Sequence, residues 1–217
     1  MTSARFATKL TFKSALMGLL VCCFSAKIYA NPTSYMLQIE LSPAVCKIDS
    51  TQKRTRQCLE GYSLNVRGLY PQGATKSCQT SNVLNLTPVQ NRVLMRIMPD
   101  ENHQAKLWRN VGGCVSMNAN QYFRLVTSYA ERLKVPEEIS TQTDLRVGRD
   151  WLEKKFMTLN SGMPTQSLVL ACAAGPKRGS ILLTSIQVCY KTNGRYTNCQ
   201  TQTKDTCPTH FLIQGSY

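Results

Sequence analysis

Histidine and acidic residues are scarce in this sequence: two His and 12 Asp+Glu stand against 26 Lys+Arg in 217 residues. Acid–base chemistry resting on imidazoles therefore has one pair of rings to draw on. No two cysteines stand in C-x-x-C spacing, which excludes the common zinc frameworks, and neither a metal nor a cofactor is expected. No apolar run reaches the roughly 20 residues that a membrane span needs. Internal repeats are absent, and no stretch rich in Pro, Gly or Ser divides the chain. Charged residues at 18%, with 12 Gly and 9 Pro, argue against a disordered chain, a collagen or a coiled coil. The length suits one compact domain with its own core.

What is abundant is positive charge, +14 in total. Arg5, Lys9 and Lys13 form a basic stretch, Ala15 to Ala26 an apolar one, and Ile28-Tyr29-Ala30 a tolerable cleavage site before Asn31. This pattern reads as a secretory signal over residues 1–30, leaving a domain over 31–217 and no membrane span after cleavage. Val21 before Cys22, and Cys22 before Cys23, are poor neighbours for a lipid attachment site. Removing Arg5, Lys9, Lys13 and Lys27 leaves 22 basic against 12 acidic residues, or +10. RNA, DNA or another polyanion is the electrostatic partner that such a surface suits, although charge also serves solubility alone.

The exported part keeps eight cysteines, Cys46, Cys58, Cys78, Cys114, Cys172, Cys189, Cys199 and Cys207, and an even number in an exported chain implies disulfides. Their spacing alone leaves every connectivity open. Alternation at Tyr35, Leu37, Ile39 and Leu41 predicts a half-buried strand, and Tyr62, Leu64 and Val66 repeat it. Thr87-Pro88 can open a helix carrying Val93, Leu94 and Ile97 up to Pro99. Asn118 with Gln121 forms a capping-box pattern ahead of Tyr122, Leu125, Val126, Tyr129 and Leu133, a helix that stops before Pro136. Another helix is expected over Arg149–Leu159, packing Leu152, Phe156 and Leu159, with Gly162 beyond it. Ser167–Ala173 and Ile181–Tyr190 read as strands about the Gly175–Gly179 turn. The class is α+β.

The order of these pieces resembles the ribonuclease T2 family. Tyr35 to Cys46 is similar to the family's opening strand, and Arg67-Gly68-Leu69-Tyr70-Pro71 to its first catalytic segment, usually His-Gly-Leu-Trp-Pro. Lys106-Leu107-Trp108-Arg109-Asn110-Val111-Gly112-Gly113-Cys114 is similar to the second, usually His-Glu-Trp-x-Lys-His-Gly-Thr-Cys, and Gln121-Tyr122-Phe123 to the helix after it. The resemblance implies a central antiparallel sheet flanked by helices, and bridges Cys46–Cys58, Cys78–Cys114, Cys172–Cys207 and Cys189–Cys199. It also implies metal-free cleavage of single-stranded RNA through a 2′,3′-cyclic phosphate, carried by histidines with a Glu and a Lys.

Those chemical positions are changed. Arg67 and Lys106 stand at histidine positions, Leu107 at the Glu, Asn110 at the Lys and Val111 at the last histidine. General acid or base catalysis supplies about 100 to 10,000-fold per group, so losing two raises the barrier by roughly 5 to 11 kcal/mol, less if they act as a unit. His103, one helical turn before Lys106, is a possible substitute base, with a solvated place beside Asp100 and Glu101 the blander expectation; His210 has no evident link to the cleft. Arg67, Tyr70, Lys106, Trp108 and Arg109 are candidates to hold phosphates and stack on bases, while packing beneath the site is the alternative for the two aromatics. Arg67 is expected either to reach the cleft or to form an internal ion pair. Lys53–Arg56 and Lys177-Arg178 widen the basic field or are simply solvated.

The expectation is a periplasmic or secreted, monomeric protein that binds RNA or another polyanion without efficient cleavage. The alternatives are an active endoribonuclease, and a module that recognises an envelope or host protein.

Overall fold

A computed structural model describes residues 32–73, 77–200 and 205–216, so the expected signal segment lies outside the described residues. Six strands form one sheet: β1 (Ser34–Leu41), β2 (Leu64–Gln72), β3 (Leu145–Gly148), β4 (Leu168–Ala174), β5 (Ile181–Lys191) and β6 (His210–Ile213). Their order is β2-β1-β5-β6-β3, with β4 paired to β5 as well. The neighbours run antiparallel, as expected of the central sheet, with one addition: β5 and β6 meet in parallel at Leu182 and Leu212.

β1 forms as its alternation requires: Tyr35, Leu37, Ile39 and Leu41 are buried and the residues between them half-buried. β2 breaks the alternation, with Asn65 and Val66 both buried and Gly68 and Leu69 both buried. The cause is a bulge. Gln38 faces Gly68 and Ile39 faces Val66, which leaves Arg67 as the extra residue. Tyr62, expected in this strand, precedes it and donates its N–H to the Gln57 carbonyl at 3.0 Å.

The helices are α1 (Ser42–Ile48), α2 (Arg56–Leu59), α3 (Pro88–Leu94), α4 (Glu101–Val111), α5 (Ala119–Arg132) and α6 (Arg149–Leu159). α5 has the capping box its sequence implies: the Asn118 side chain accepts from Gln121 N–H, and the Gln121 side chain from Asn118 N–H. Its Tyr122, Phe123, Val126 and Tyr129 fill the core beside the sheet. α3 stops at Leu94, short of Pro99, because the Ile97 carbonyl accepts from Val66 N–H at 2.7 Å and draws this segment onto β2. Val93 is accordingly exposed. α6 buries Leu152 and Phe156 but leaves Leu159 exposed; the buried Asn160 amide takes the inward place and donates to the Lys134 and Phe156 carbonyls.

All four bridges implied by the resemblance form: Cys46–Cys58, Cys78–Cys114, Cys172–Cys207 and Cys189–Cys199. Each restricts the unfolded chain and stabilises the fold by about 2 to 4 kcal/mol in an oxidising compartment. Among the described residues no helix is long and apolar enough to cross a membrane.

Candidate functional site

The site grows from the contact between the β2 bulge and α4. Gly68 sits at φ 148°, and a Cβ there would lie 2.7 Å from Leu107 Cδ1 and 2.8 Å from Cδ2. Glycine thus lets α4 lie directly on the strand. Asp100 caps α4 by accepting from His103 N–H at 3.1 Å. Buried Gln104 fixes the same turn by donating to the Met98 carbonyl at 2.7 Å. Tyr122 of α5 holds β2 from inside, donating its hydroxyl to the Leu69 carbonyl at 2.8 Å.

Arg67, freed from strand pairing by the bulge, offers its carbonyl to the His103 Nε2 at 2.7 Å and to the Tyr70 hydroxyl at 3.2 Å. A carbonyl only accepts, so Nε2 carries a proton and the basic nitrogen of the neutral ring is Nδ1. The ring is half-buried, not solvated as its acidic neighbours suggested. Burial, and then the charge of Arg67, depress its pKa, with Lys106 adding to the effect and the Arg67 carbonyl and Asp100 opposing it. His103 is therefore neutral at neutral pH. The Arg67 guanidinium lies 3.5 Å, Nε to Oε2, from Glu40, so the internal ion pair exists. Burial raises the Glu40 pKa, and Arg67 opposes that rise.

α4 divides the motif residues between two faces. Leu107, Trp108 and Val111 point inward and are 2–3% exposed. The Trp108 ring lies 5.8 Å from that of Tyr122, so it packs in the core and has no face to offer a base. Tyr70 is half-buried and turned to the Arg67 carbonyl. Lys106, Arg109 and Asn110, spaced to share the opposite face, are exposed and line a cleft of about 370 Å³ with Gln79 and Thr80.

The far wall is built by close approach. Cys78 is bonded to Cys114, Thr80 N–H donates to the Arg109 carbonyl at 2.8 Å, and Gly113 N–H to the Cys78 carbonyl at 2.8 Å. A Cβ on Gly113 would lie 2.4 Å from the Gln79 carbonyl oxygen. Gln79, Thr80 and Glu40 escaped the sequence reading; the Cys78–Cys114 pairing was the signal that brings the first two to α4.

The cleft thus carries two cations and five hydrogen-bonding side chains, counting Lys106 and Arg109 in both roles. Such a set is chemically able to hold phosphate oxygens. Leu107 and Val111 have no proton to give or take. The two imidazoles are not brought together either: His103 lies beside β2 at one end of the strand order, and His210 is on β6 beside β3 at the other. Among the described residues no cluster of three or more His, Cys, Asp and Glu is arranged to hold a metal.

The arrangement of this sheet and the helices around it is a fold that solved structures share. Ribonuclease MC1 from bitter gourd seeds matches with a TM-score of 0.64 and 19% identity, over 82% of this chain and 98% of that one. The self-incompatibility associated SF11-RNase of Nicotiana alata matches with a TM-score of 0.65 and 15% identity, over 85% and 100%. An RNase-related protein from Calystegia sepium matches with 0.61 and 16%, over 86% and 98%. Neither a family model nor a curated protein matches the sequence. The chain therefore has the ribonuclease T2-like fold.

Proposed function

We propose that this chain is an exported, monomeric ribonuclease T2-like protein that binds single-stranded RNA on the outer face of α4 and does not cleave it efficiently. The observation that carries this reading is the division of α4: Lys106, Arg109 and Asn110 surround an open polar cleft, while Leu107 and Val111 are sealed in the core. Phosphate binding needs the first set, and proton transfer needs titratable groups in place of the second. One solved neighbour is a ribonuclease MC1 variant in complex with 5′-UMP, a nucleotide held by this fold. The four bridges suit the periplasm or the outside of the cell.

His103 supports a second reading. Its neutral ring, beside Arg67 and Lys106, has a basic Nδ1, and an endoribonuclease would use it to take the 2′-hydroxyl proton. The test for both is labelled single-stranded RNA mixed with protein from a nuclease-deficient host. The binding reading expects intact RNA and affinity that falls steeply with salt. Cyclic-phosphate products that disappear in His103→Ala establish the enzyme instead. Salt-insensitive association with an envelope protein, without competition by RNA, is the mark of a protein-recognition module.

A further inference from the structure

Lys177 and Arg178, adjacent in the β4–β5 turn, meet two residues distant in sequence. Arg146 of β3 and His210 of β6 come from the antiparallel pair in which Val147 and Phe211 face inward, and both project from the other face. The four surround a cleft of about 290 Å³ floored by Gly179, Ser180 and Leu212. Gly148 lies opposite His210, and a Cβ there would be 3.9 Å from the His210 Nε2. The turn is rigid: Ser180 N–H donates to the Lys177 carbonyl at 2.9 Å, Gly175 N–H to the Ser180 carbonyl at 2.8 Å, and Gly179 takes φ 76°. No acidic residue lines the cleft, and no carboxylate among the described residues pairs with Arg146, Lys177 or Arg178.

We infer that this cleft is a second phosphate-binding site, which takes a backbone phosphate of single-stranded RNA apart from the α4 cleft. Three cations converging without a counter-ion repel one another, and an anion relieves that repulsion. Arginine on a strand offers a fixed fork for phosphate oxygens. The exposed large apolar side chains, Leu59, Val83, Val89, Val93, Trp151 and Leu159, all lie elsewhere, so the cleft lacks the apolar rim with which a protein surface enters lipid. The inference shares its ligand with the proposed function but stands on different residues.

His210 lines this cleft, and His103 stands on α4 one turn before Lys106 of the other, so the two rings let one experiment follow both regions. The full exported chain with isotope-labelled histidine is titrated by NMR with a short single-stranded RNA, and separately with phosphatidylglycerol vesicles. We expect RNA to shift the His210 ring signals saturably. Arg146→Ala with Arg178→Ala weakens that response about tenfold and lowers the salt slope by about 1 to 2, leaving the His103 response unchanged. Lys177→Ala, in the turn alone, gives a smaller loss in the same direction. His210 signals that ignore RNA, that respond unchanged in the double variant, or that respond to vesicles and not to RNA overturn the inference. A His210 response that survives Lys106→Ala with Arg109→Ala, while overall RNA affinity is unchanged by that pair, supports it and sinks the α4 cleft as the main site.

Discussion

The two faces of α4 do opposite work with neighbouring residues. Inward, Leu107, Trp108 and Val111 lock the helix onto β2 and α5; outward, Lys106, Arg109 and Asn110 stay in water around a polar cleft. In the pattern that the sequence resembles, both faces carry titratable groups. The difference is that α4 gives its inward positions to the core and keeps its cations on the outer face.

Breaking the inward face gives the largest effects. Trp108→Ala is expected to cost about 3 to 5 kcal/mol, because the cavity it leaves is ringed by Tyr122 and the body of α4; chemical denaturation checks this, and RNA affinity below the transition stays near wild type. Gly68→Ala follows at about 1 to 3 kcal/mol, since its Cβ would meet Leu107 in a backbone conformation that suits glycine. The outward face responds in the other currency. Lys106→Ala with Arg109→Ala should leave stability within about 0.5 kcal/mol per site. The double change should also lower the slope of log affinity on log salt by about 1 to 2, measured by fluorescence anisotropy.

Smaller effects come from the hinge between the faces. The pKa of His103 is depressed by its burial, so between the ordinary histidine value of about 6.5 and its lower folded value the unfolded chain binds more protons. Stability falls as pH drops through that window and levels off below it. His103→Gln should flatten this part of the stability profile. Glu40, with a raised pKa, acts with the opposite sign: its contribution is complete below about 4.5 and is lost as pH rises through its folded value. Glu40→Gln is expected to remove this part of the pH dependence, read from the same denaturation curves.

Much of the frame was legible in the residues. β1 and α5 follow from a period of two and from a capping box, local signals that tertiary packing had no reason to override. The disulfides followed from resemblance, since spacing leaves the pairing open. The bulge at Arg67 was not legible, because it shows only as a failure of alternation that cross-strand register explains. Nor was the burial of His103: beside Asp100 and Glu101 it looks solvated, and its carbonyl partner comes from 36 residues away. β3 and β6, four residues each, are too short to show a period, so the cleft between Arg146 and His210 emerges only when the sheet is assembled.

The central claim is that the outward face of α4 holds RNA while the inward face has no protons to move. It is tested most directly by incubating labelled single-stranded RNA with residues 31–217 at two salt concentrations, and reading bound fraction and fragment ends in the same samples. The account predicts a salt-sensitive complex of uncut RNA that weakens when Lys106 and Arg109 are changed to alanine. Rapid conversion to fragments with cyclic-phosphate ends, lost in His103→Ala, or binding indifferent to salt and to both cations, would contradict it.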